Sequence, residues 1–234
     1  MDKSCSGDIT SHILERLRML SDDGYHRFMI PLIPGISPDR MLGVRVPHIR
    51  KLAASLCSTE ADAFISQLPH RYLEENYLHA FIISAIKDEE ALILKVDRFL
   101  PFIDNWAICD SLRPRLFPKM GQRLLPHVER WMSDDHPYIK RFGIECLMCY
   151  FLDDLFSEEY LAAVARVHCN HYYVEMMQAW YFATALAKQW SCTVEYIKQG
   201  ILPPGVHNKT IRKAIESRRI SDSKKEYLRT LALK

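Results

Sequence analysis

Trp106 and Asp110 stand four positions apart in the stretch DNWAICDSL, residues 104–112, with Cys109 and Leu112 as apolar neighbours. On a helix, residues four positions apart lie one turn apart on the same face, so the indole and the carboxylate would project into the same space. A flat aromatic ring beside an acid can hold a cation, and it can equally be ordinary packing. The pair is therefore either a cation site or part of the core.

Arg141 and Trp180 are unusual residue types for the apolar helix faces on which they fall. Arg141 lies near the start of YIKRFGIECLMCYFL, and Trp180 lies inside YVEMMQAWYFATALA. A buried guanidinium requires a partner, and Asp110 is the obvious candidate. A structural ion pair beside two core tryptophans would explain these residues without any chemistry, so that alternative stays open.

Cysteine and histidine side chains offer a weaker constellation. CLMC gives Cys146 and Cys149 a spacing found in zinc sites, and HCNH follows with His168 and His171. The cysteine pair falls in mid-helix, where cysteine is usually a small apolar filler, so we favour core thiols over a metal site or a redox dithiol. Glycine-rich phosphate loops, GxSxG and HExxH are absent from the sequence, which removes the commonest nucleotide-binding, hydrolase and metalloprotease classes. We expect no metal and no cofactor.

The bulk composition favours a soluble helical protein. Of the 234 residues 48% are apolar, and only eight are glycine, while long tracts are rich in Leu, Ala, Glu, Lys and Arg. The longest apolar run, AFIISAI, is too short to cross a bilayer, and the N-terminus does not resemble a signal peptide. The odd number of seven cysteines is typical of reduced thiols. We therefore expect a cytoplasmic protein without membrane contact.

The net charge of +2 hides an asymmetry along the chain. Residues 201–234 carry nine Lys/Arg and three Asp/Glu, a net charge of +6, whereas the remainder carries 22 against 26, a net charge of −4. A basic segment of this kind is either a solvated helical face or a contact for an anionic polymer. The candidates for phosphate contacts are Lys209, Arg212 and Lys213, which share one predicted helix, together with Arg45 and Arg50.

Apolar periodicity predicts a series of helices with short connections. The first is expected at about 8–20, and Pro47 opens another that runs to about Cys57. Between them MIPLIPGISPDRMLG carries three prolines. Because a proline inside a helix costs about 3 kcal/mol, residues 30–39 are predicted to be irregular. Further helices are predicted at about 59–68, 72–87, 88–102, 104–112, 121–132, 137–152, 157–168, 171–189, 193–199, 207–218 and 222–232.

A weak internal repeat is also present. The segments that begin at Tyr138 and Tyr173 lie 35 residues apart with similar spacing of aromatic and aliphatic positions, and YLHAFIISAIK from Tyr77 is a looser third copy. Such a period predicts an all-α fold of HEAT-like helical repeats, a curved α-solenoid with a concave face. A generic helical bundle is the alternative. No linker divides the sequence, so residues 1–234 are predicted to form a single domain.

Four motifs together resemble the DNA alkylation repair family, the AlkD-like alkylpurine DNA glycosylases built from HEAT-like repeats. The motifs are LGVRVPHIRKLA (42–53), WAICD (106–110), YIKRFGI (138–144) and QAWYFATALAK (178–188). The resemblance spans nearly the whole chain in the same order. It matches Trp106 and Trp180 to the two site tryptophans of the family, Asp110 to its catalytic aspartate and Arg141 to its active-site arginine.

The resemblance implies the removal of cationic N3- and N7-alkylated purines from duplex DNA, without a deep pocket for the base. Asp110 would stabilise the oxocarbenium character of the sugar and orient water. Trp106 and Trp180 would lie against the cationic nucleotide, and Arg141 would hold a backbone phosphate. Because the alkylated base is already a good leaving group, no general acid is required.

The chain departs from the family pattern between the first predicted helix and LGVRVP. Active members carry there a helix that enters the minor groove, whereas this chain has the proline-broken IPLIPGISPD. The resemblance is closest to a branch that lacks this helix, which implies weak binding of double-stranded DNA. A non-catalytic HEAT-like module that binds DNA weakly, or binds a protein partner, is therefore the alternative function. We expect a monomer in either case.

Overall fold

The computed structural model describes residues 5–233, and this part of the chain consists of α-helices, short 3-10 turns and loops. Ser21 and Val44 form an isolated antiparallel bridge, and no β-strand occurs in residues 5–233. The all-α prediction is confirmed. None of the helices in this range combines the length and the apolar composition that a bilayer crossing demands.

The chain divides into two compact units, one that ends at Lys119 and one that begins at Met120. The first unit contains α1 (Cys5–Arg18), α2 (Asp23–Met29), α3 (Val46–Ser55), α4 (Ser58–Ile65), α5 (Leu73–Ile83), α6 (Glu89–Phe99) and α7 (Trp106–Ser111). The short helix α8 (Phe117–Met120) lies at the boundary. The second unit contains α9 (Leu125–Ser133), α10 (Pro137–Tyr150), α11 (Glu158–Ala165), α12 (Tyr172–Lys188), α13 (Trp190–Lys198), α14 (Pro204–Glu216) and α15 (Asp222–Thr230). A single domain over residues 1–234 stays a prediction.

Helix α5 is the centre of the first unit. All of its residues are buried, and it packs against α3, α4, α6 and α7. The buried carboxylate of Glu74, in the first turn of this helix, accepts the backbone N–H groups of Leu42 at 2.9 Å, Gly43 at 2.8 Å and Val44 at 3.2 Å. Three N–H donors satisfy the buried charge, and they fix the loop that leads into α3.

A histidine pair is buried beside α5 and α6. His70 Nε2 and His79 Nδ1 lie 2.8 Å apart, and the rings of Phe64 and Phe99 stack on the two imidazoles. Burial in these apolar surroundings lowers the pKa of His70 to about 4 and the pKa of His79 to about 2. Both imidazoles are therefore neutral at pH 7, and one ring N–H serves the hydrogen bond between them.

Helix α12 is the centre of the second unit, where it packs against α10, α11, α13 and α14. Helix α10 also packs against α9, and a Cβ on Gly143 would lie 2.7 Å from the backbone nitrogen of Met132. Only glycine therefore permits this close approach of the two helices. The repeat segments from Tyr138 and Tyr173 fall on α10 and α12, so the two copies form neighbouring helices.

The region between α1 and α3 contains a helix that the sequence patterns do not predict. Asp22 caps α2, since its Oδ1 accepts the N–H of Tyr25 at 2.8 Å. The irregular chain predicted for residues 30–39 is confirmed, because only 3-10 turns occur there, at Ile30–Leu32 and Pro38–Arg40. Most other predicted helices are present with displaced ends; α14, for example, begins at Pro204 instead of residue 207.

Candidate functional site

Helix α7 carries Trp106 and Asp110 one turn apart. Asn105 begins the helix, and its Oδ1 accepts the N–H of Ile108 at 3.0 Å. The three residues between the tryptophan and the aspartate are buried, so they anchor the helix in the unit. Trp106 and Asp110 are half-buried, which leaves part of each side chain accessible. A short, capped and anchored helix thus presents an indole and a carboxylate.

The proline-rich segment contacts this helix. The indole Nε1 of Trp106 donates to the backbone carbonyl of Leu32 at 3.1 Å. Arg40 forms an ion pair with Asp104 at 2.9 Å, and its Nε donates to the carbonyl of Arg71 at 3.1 Å. The polar edge of the Trp106 ring is therefore engaged by residues 30–40, and any ligand of this ring must use its face.

Tyr77 on α5 lies in the field of the Asp110 carboxylate. Burial raises the pKa of the Tyr77 hydroxyl above its usual value, and the charges of Glu74 and Asp110 act in the same direction. The phenol is therefore protonated at neutral pH and keeps its hydrogen-bond donor. Arg113 Nε donates to the backbone carbonyl of Asp110 at 3.1 Å. The end of α7 is held in place by this contact.

The predicted DNA contacts of the first unit, Arg45 and Arg50, both lie over aromatic rings. The guanidinium of Arg45, the residue before α3, is 4.8 Å from the centre of the Tyr25 ring and pairs with Asp22 at 3.1 Å. The guanidinium of Arg50 is 4.1 Å from the centre of the Phe81 ring. Stacking positions a guanidinium without neutralising it, so Arg50 keeps its charge for an anion.

Arg141 is held inside the second unit. Its side chain is on α10, the residue is 4% exposed, and Nη1 donates to the backbone carbonyl of Tyr173 at 2.7 Å. Burial lowers the pKa of the nearby His171, and the positive charge of Arg141 lowers it further. A phosphate contact by Arg141 therefore requires that this side chain first become accessible.

Trp180 is the more accessible of the two predicted site tryptophans. The residue is 38% exposed on α12, and it lines a cavity of about 340 Å³ together with Lys213, Glu216 and Arg219. Lys213 Nζ lies 6.0 Å from the centre of the indole ring. Trp180 thus offers a ring face beside positive charge, an arrangement that suits stacking of a nucleotide with its phosphate nearby.

The three basic candidates of α14 have different surroundings. Lys209 forms an ion pair with Glu175 and lies 5.2 Å from the ring of Tyr172. Lys213 faces Trp180, and Arg212 is exposed. Because Glu175 already neutralises much of the charge of Lys209, a phosphate track on this helix would depend chiefly on Arg212 and Lys213.

Two buried polar residues of α5, Tyr77 and Glu74, are not among the predicted site residues. Tyr77 stands in the loosest copy of the sequence repeat, where its ring looks like core material. Glu74 lies in the first turn of α5, where an acid is ordinary helix chemistry. The environment of both residues depends on burial and on partners distant in sequence. The only sign in the sequence was the aromatic repeat position that Tyr77 occupies.

The predicted site residues fall into two groups, one in each unit. Trp106 and Asp110 share α7, and Arg141 and Trp180 lie on the packed helices α10 and α12. A sequence model of the family described as DNA alkylation repair enzyme matches residues 13–175, more than half of the chain. The matched range includes Trp106, Asp110 and Arg141, and it ends before Trp180. No curated protein and no solved structure matches the sequence. The chain belongs to the DNA alkylation repair enzyme family.

Proposed function

We propose that this DNA alkylation repair protein is an AlkD-like N-glycosylase, which releases purines that alkylation at N3 or N7 has made cationic. The observation that supports this most strongly is the geometry of α7. An indole and a carboxylate lie one turn apart on a helix whose three intervening residues are buried, and both side chains are partly accessible. A ring face and a fixed negative charge are the two features that a cationic nucleotide needs.

The reaction requires little proton transfer. When the bond between C1′ of the sugar and the purine nitrogen breaks, its electron pair leaves with the base, which becomes neutral. The sugar then acquires oxocarbenium character, which the Asp110 carboxylate stabilises across a short distance. Water adds to C1′, and its extra proton is lost to Asp110 or to solvent. No group is needed to protonate the leaving base.

The second unit would contribute binding. Trp180 offers an exposed ring with Lys213 beside it, which suits a nucleotide and its phosphate. Arg141 would contact a phosphate only after its bond to the Tyr173 carbonyl opens. Binding in this unit therefore combines an accessible ring with a guanidinium that is released during binding.

Release of free bases from methylated duplex DNA tests the proposal. We expect the wild-type protein to release 7-methylguanine and 3-methyladenine, and Asp110→Asn to lower the rate by about 100-fold or more, as loss of a transition-state electrostatic contact typically does. Equal unfolding curves for the two proteins would exclude a folding defect. Release at the same rate by both proteins, or by neither, would contradict the proposal.

A non-catalytic module is the second candidate. The engaged indole N–H of Trp106 and the buried side chain of Arg141 support it, since both limit what these residues can offer to DNA. Under this alternative the protein binds methylated and unmodified duplexes equally and releases no base. A release assay and a binding titration on the same two duplexes distinguish the candidates.

A further inference from the structure

A cavity of about 300 Å³ lies in the first unit, next to the end of α7. Its walls come from α3, from α4, from the C-terminal end of α5, and from the chain that follows Asp110. Ser111 lines the cavity, and so do three arginines, Arg50, Arg113 and Arg115. No aspartate or glutamate of the described chain lines it, so the cavity carries positive charge.

Two of the arginines have their charge available. The guanidinium of Arg50 is stacked on the Phe81 ring, which fixes its position and leaves its N–H groups for a ligand. Within residues 5–233 neither Arg50 nor Arg115 forms an ion pair. Guanidinium groups that share a cavity without acids repel each other, and an anion between them removes that repulsion.

Ser84 supplies an independent sign of a ligand. The residue is 8% exposed and lines the cavity, and its buried hydroxyl has no hydrogen-bond partner. Its backbone carbonyl accepts the N–H of Arg115 at 3.0 Å, which holds the arginine segment beside the serine. Buried hydroxyls are normally satisfied, so an acceptor in this cavity would complete the site.

We propose that this cavity binds a phosphate group, with Arg50 and Arg115 as the charged donors and Ser84 as the neutral donor. Its volume of about 300 Å³ accommodates the tetrahedral oxygens of a phosphate group. The source that the surroundings favour is a phosphodiester of duplex DNA, because Ser111 directly follows Asp110 and Arg113 binds the Asp110 carbonyl. That assignment rests on the proposed function, whereas the binding of phosphate does not.

The salt dependence of duplex binding tests the DNA source. Fluorescence-anisotropy titrations of an unmodified duplex over a range of NaCl concentrations give the slope of log K against log salt. We expect Arg50→Gln/Arg115→Gln to lower this slope by about one and to weaken binding at low salt by about tenfold. Arg98→Gln, which removes an exposed charge of the same unit outside the cavity, should leave the slope unchanged.

Substitution of Ser84 separates an effect on binding from an effect on folding. Ser84→Ala removes a hydroxyl that has no partner in the protein, so we expect unchanged or higher thermal stability together with about threefold to tenfold weaker DNA binding. Wild-type slopes and affinities in both variants would overturn the DNA assignment. If isothermal titration with inorganic phosphate also gave identical results for wild-type protein and the double variant, the phosphate site itself would be refuted.

Base release distinguishes the failure of this inference from the failure of the proposed function. A protein that releases no base but shows the expected change of slope retains the phosphate site and loses the glycosylase proposal. A protein that releases base while the slopes of wild type and variants agree retains the glycosylase proposal and loses the DNA phosphate site. If inorganic phosphate binding falls in the double variant while the slopes agree, the cavity serves a small phosphate compound, and the DNA assignment is wrong.

Discussion

The two units hold their predicted site residues in opposite ways. In the first unit Trp106 and Asp110 are both half-buried, and the ring N–H of Trp106 is bound to Leu32. In the second unit the ring of Trp180 is exposed, while Arg141 is 4% exposed and bound to the Tyr173 carbonyl. Each unit thus has one side chain that donates to a backbone carbonyl, Trp106 in the first and Arg141 in the second.

Under the proposed function, this difference would divide the work between charge and stacking. A carboxylate on an anchored helix is preorganised, so it can stabilise developing positive charge without rearrangement. An exposed indole beside a lysine would provide affinity for a nucleotide that tolerates small changes of position. The two restrained side chains contribute to stability in the absence of DNA, and their contribution can be measured separately.

Acidification should lower the stability of the first unit, and we expect this to be the largest of the effects. The folded pKa values of His70 and His79 lie below the unfolded value of about 6.5, so the unfolded state binds more protons below that pH. Stability from this pair is complete above about pH 6.5 and is lost as the pH falls below that value, so we expect a loss of several kcal/mol at pH 5. Urea denaturation at pH 7 and pH 5, with hydrogen exchange to locate the loss in the first unit, measures this effect.

The matched control for acidification is His70→Leu/His79→Leu, which replaces both members of the hydrogen bond by apolar groups. We expect this variant to lose much less stability between pH 7 and pH 5 than the wild-type protein. An equal loss in both proteins would assign the effect to other groups.

Removal of the restrained arginine should give the next largest effect. Arg141→Ala leaves a cavity in α10 and an unpaired Tyr173 carbonyl, so we expect the free energy of unfolding to fall by about 3 kcal/mol. Arg212→Ala, an exposed position on α14, should change it by less than about 0.5 kcal/mol. Similar values for both variants would mean that Arg141 is not structurally restrained.

Substitution of the two tryptophans should give the smallest difference in unfolding free energy. Trp106→Phe removes the hydrogen bond to Leu32, so we expect a loss of about 1 kcal/mol in unfolding free energy. Trp180→Phe removes no such bond and should change stability by less than about 0.5 kcal/mol. Chemical denaturation of the pair measures this contrast, and a larger loss for Trp180→Phe would reverse the comparison.

Local patterns predicted much of the framework. Helix α7 was expected at 104–112 and spans Trp106–Ser111, because an apolar stretch with helical spacing carries its own signal. The irregular chain at 30–39 follows directly from its prolines. Helix α2 was missed because seven residues before a proline-rich stretch contain too few apolar positions to show a period.

Contacts between distant segments were beyond sequence reasoning. The Leu32 carbonyl that binds Trp106 is 74 positions away, and Glu74 is about 30 positions from the loop that it holds. Residue type does not reveal either contact. The acceptor for Trp106 and the donors to Glu74 are backbone groups, which residues of almost every type carry. The same applies to Ser84, whose meaning depends on the arginines that surround its cavity.

Asp110 is proposed to act on positive charge, and single-turnover base release from two defined duplexes distinguishes this role from any other. One duplex carries the cationic 7-methylguanine and the other carries the neutral O6-methylguanine at the same position. We predict release of 7-methylguanine alone, with a rate that Asp110→Asn lowers by about 100-fold or more. Equal release of both bases, or an unchanged rate in Asp110→Asn, would show that Asp110 does not act in this way.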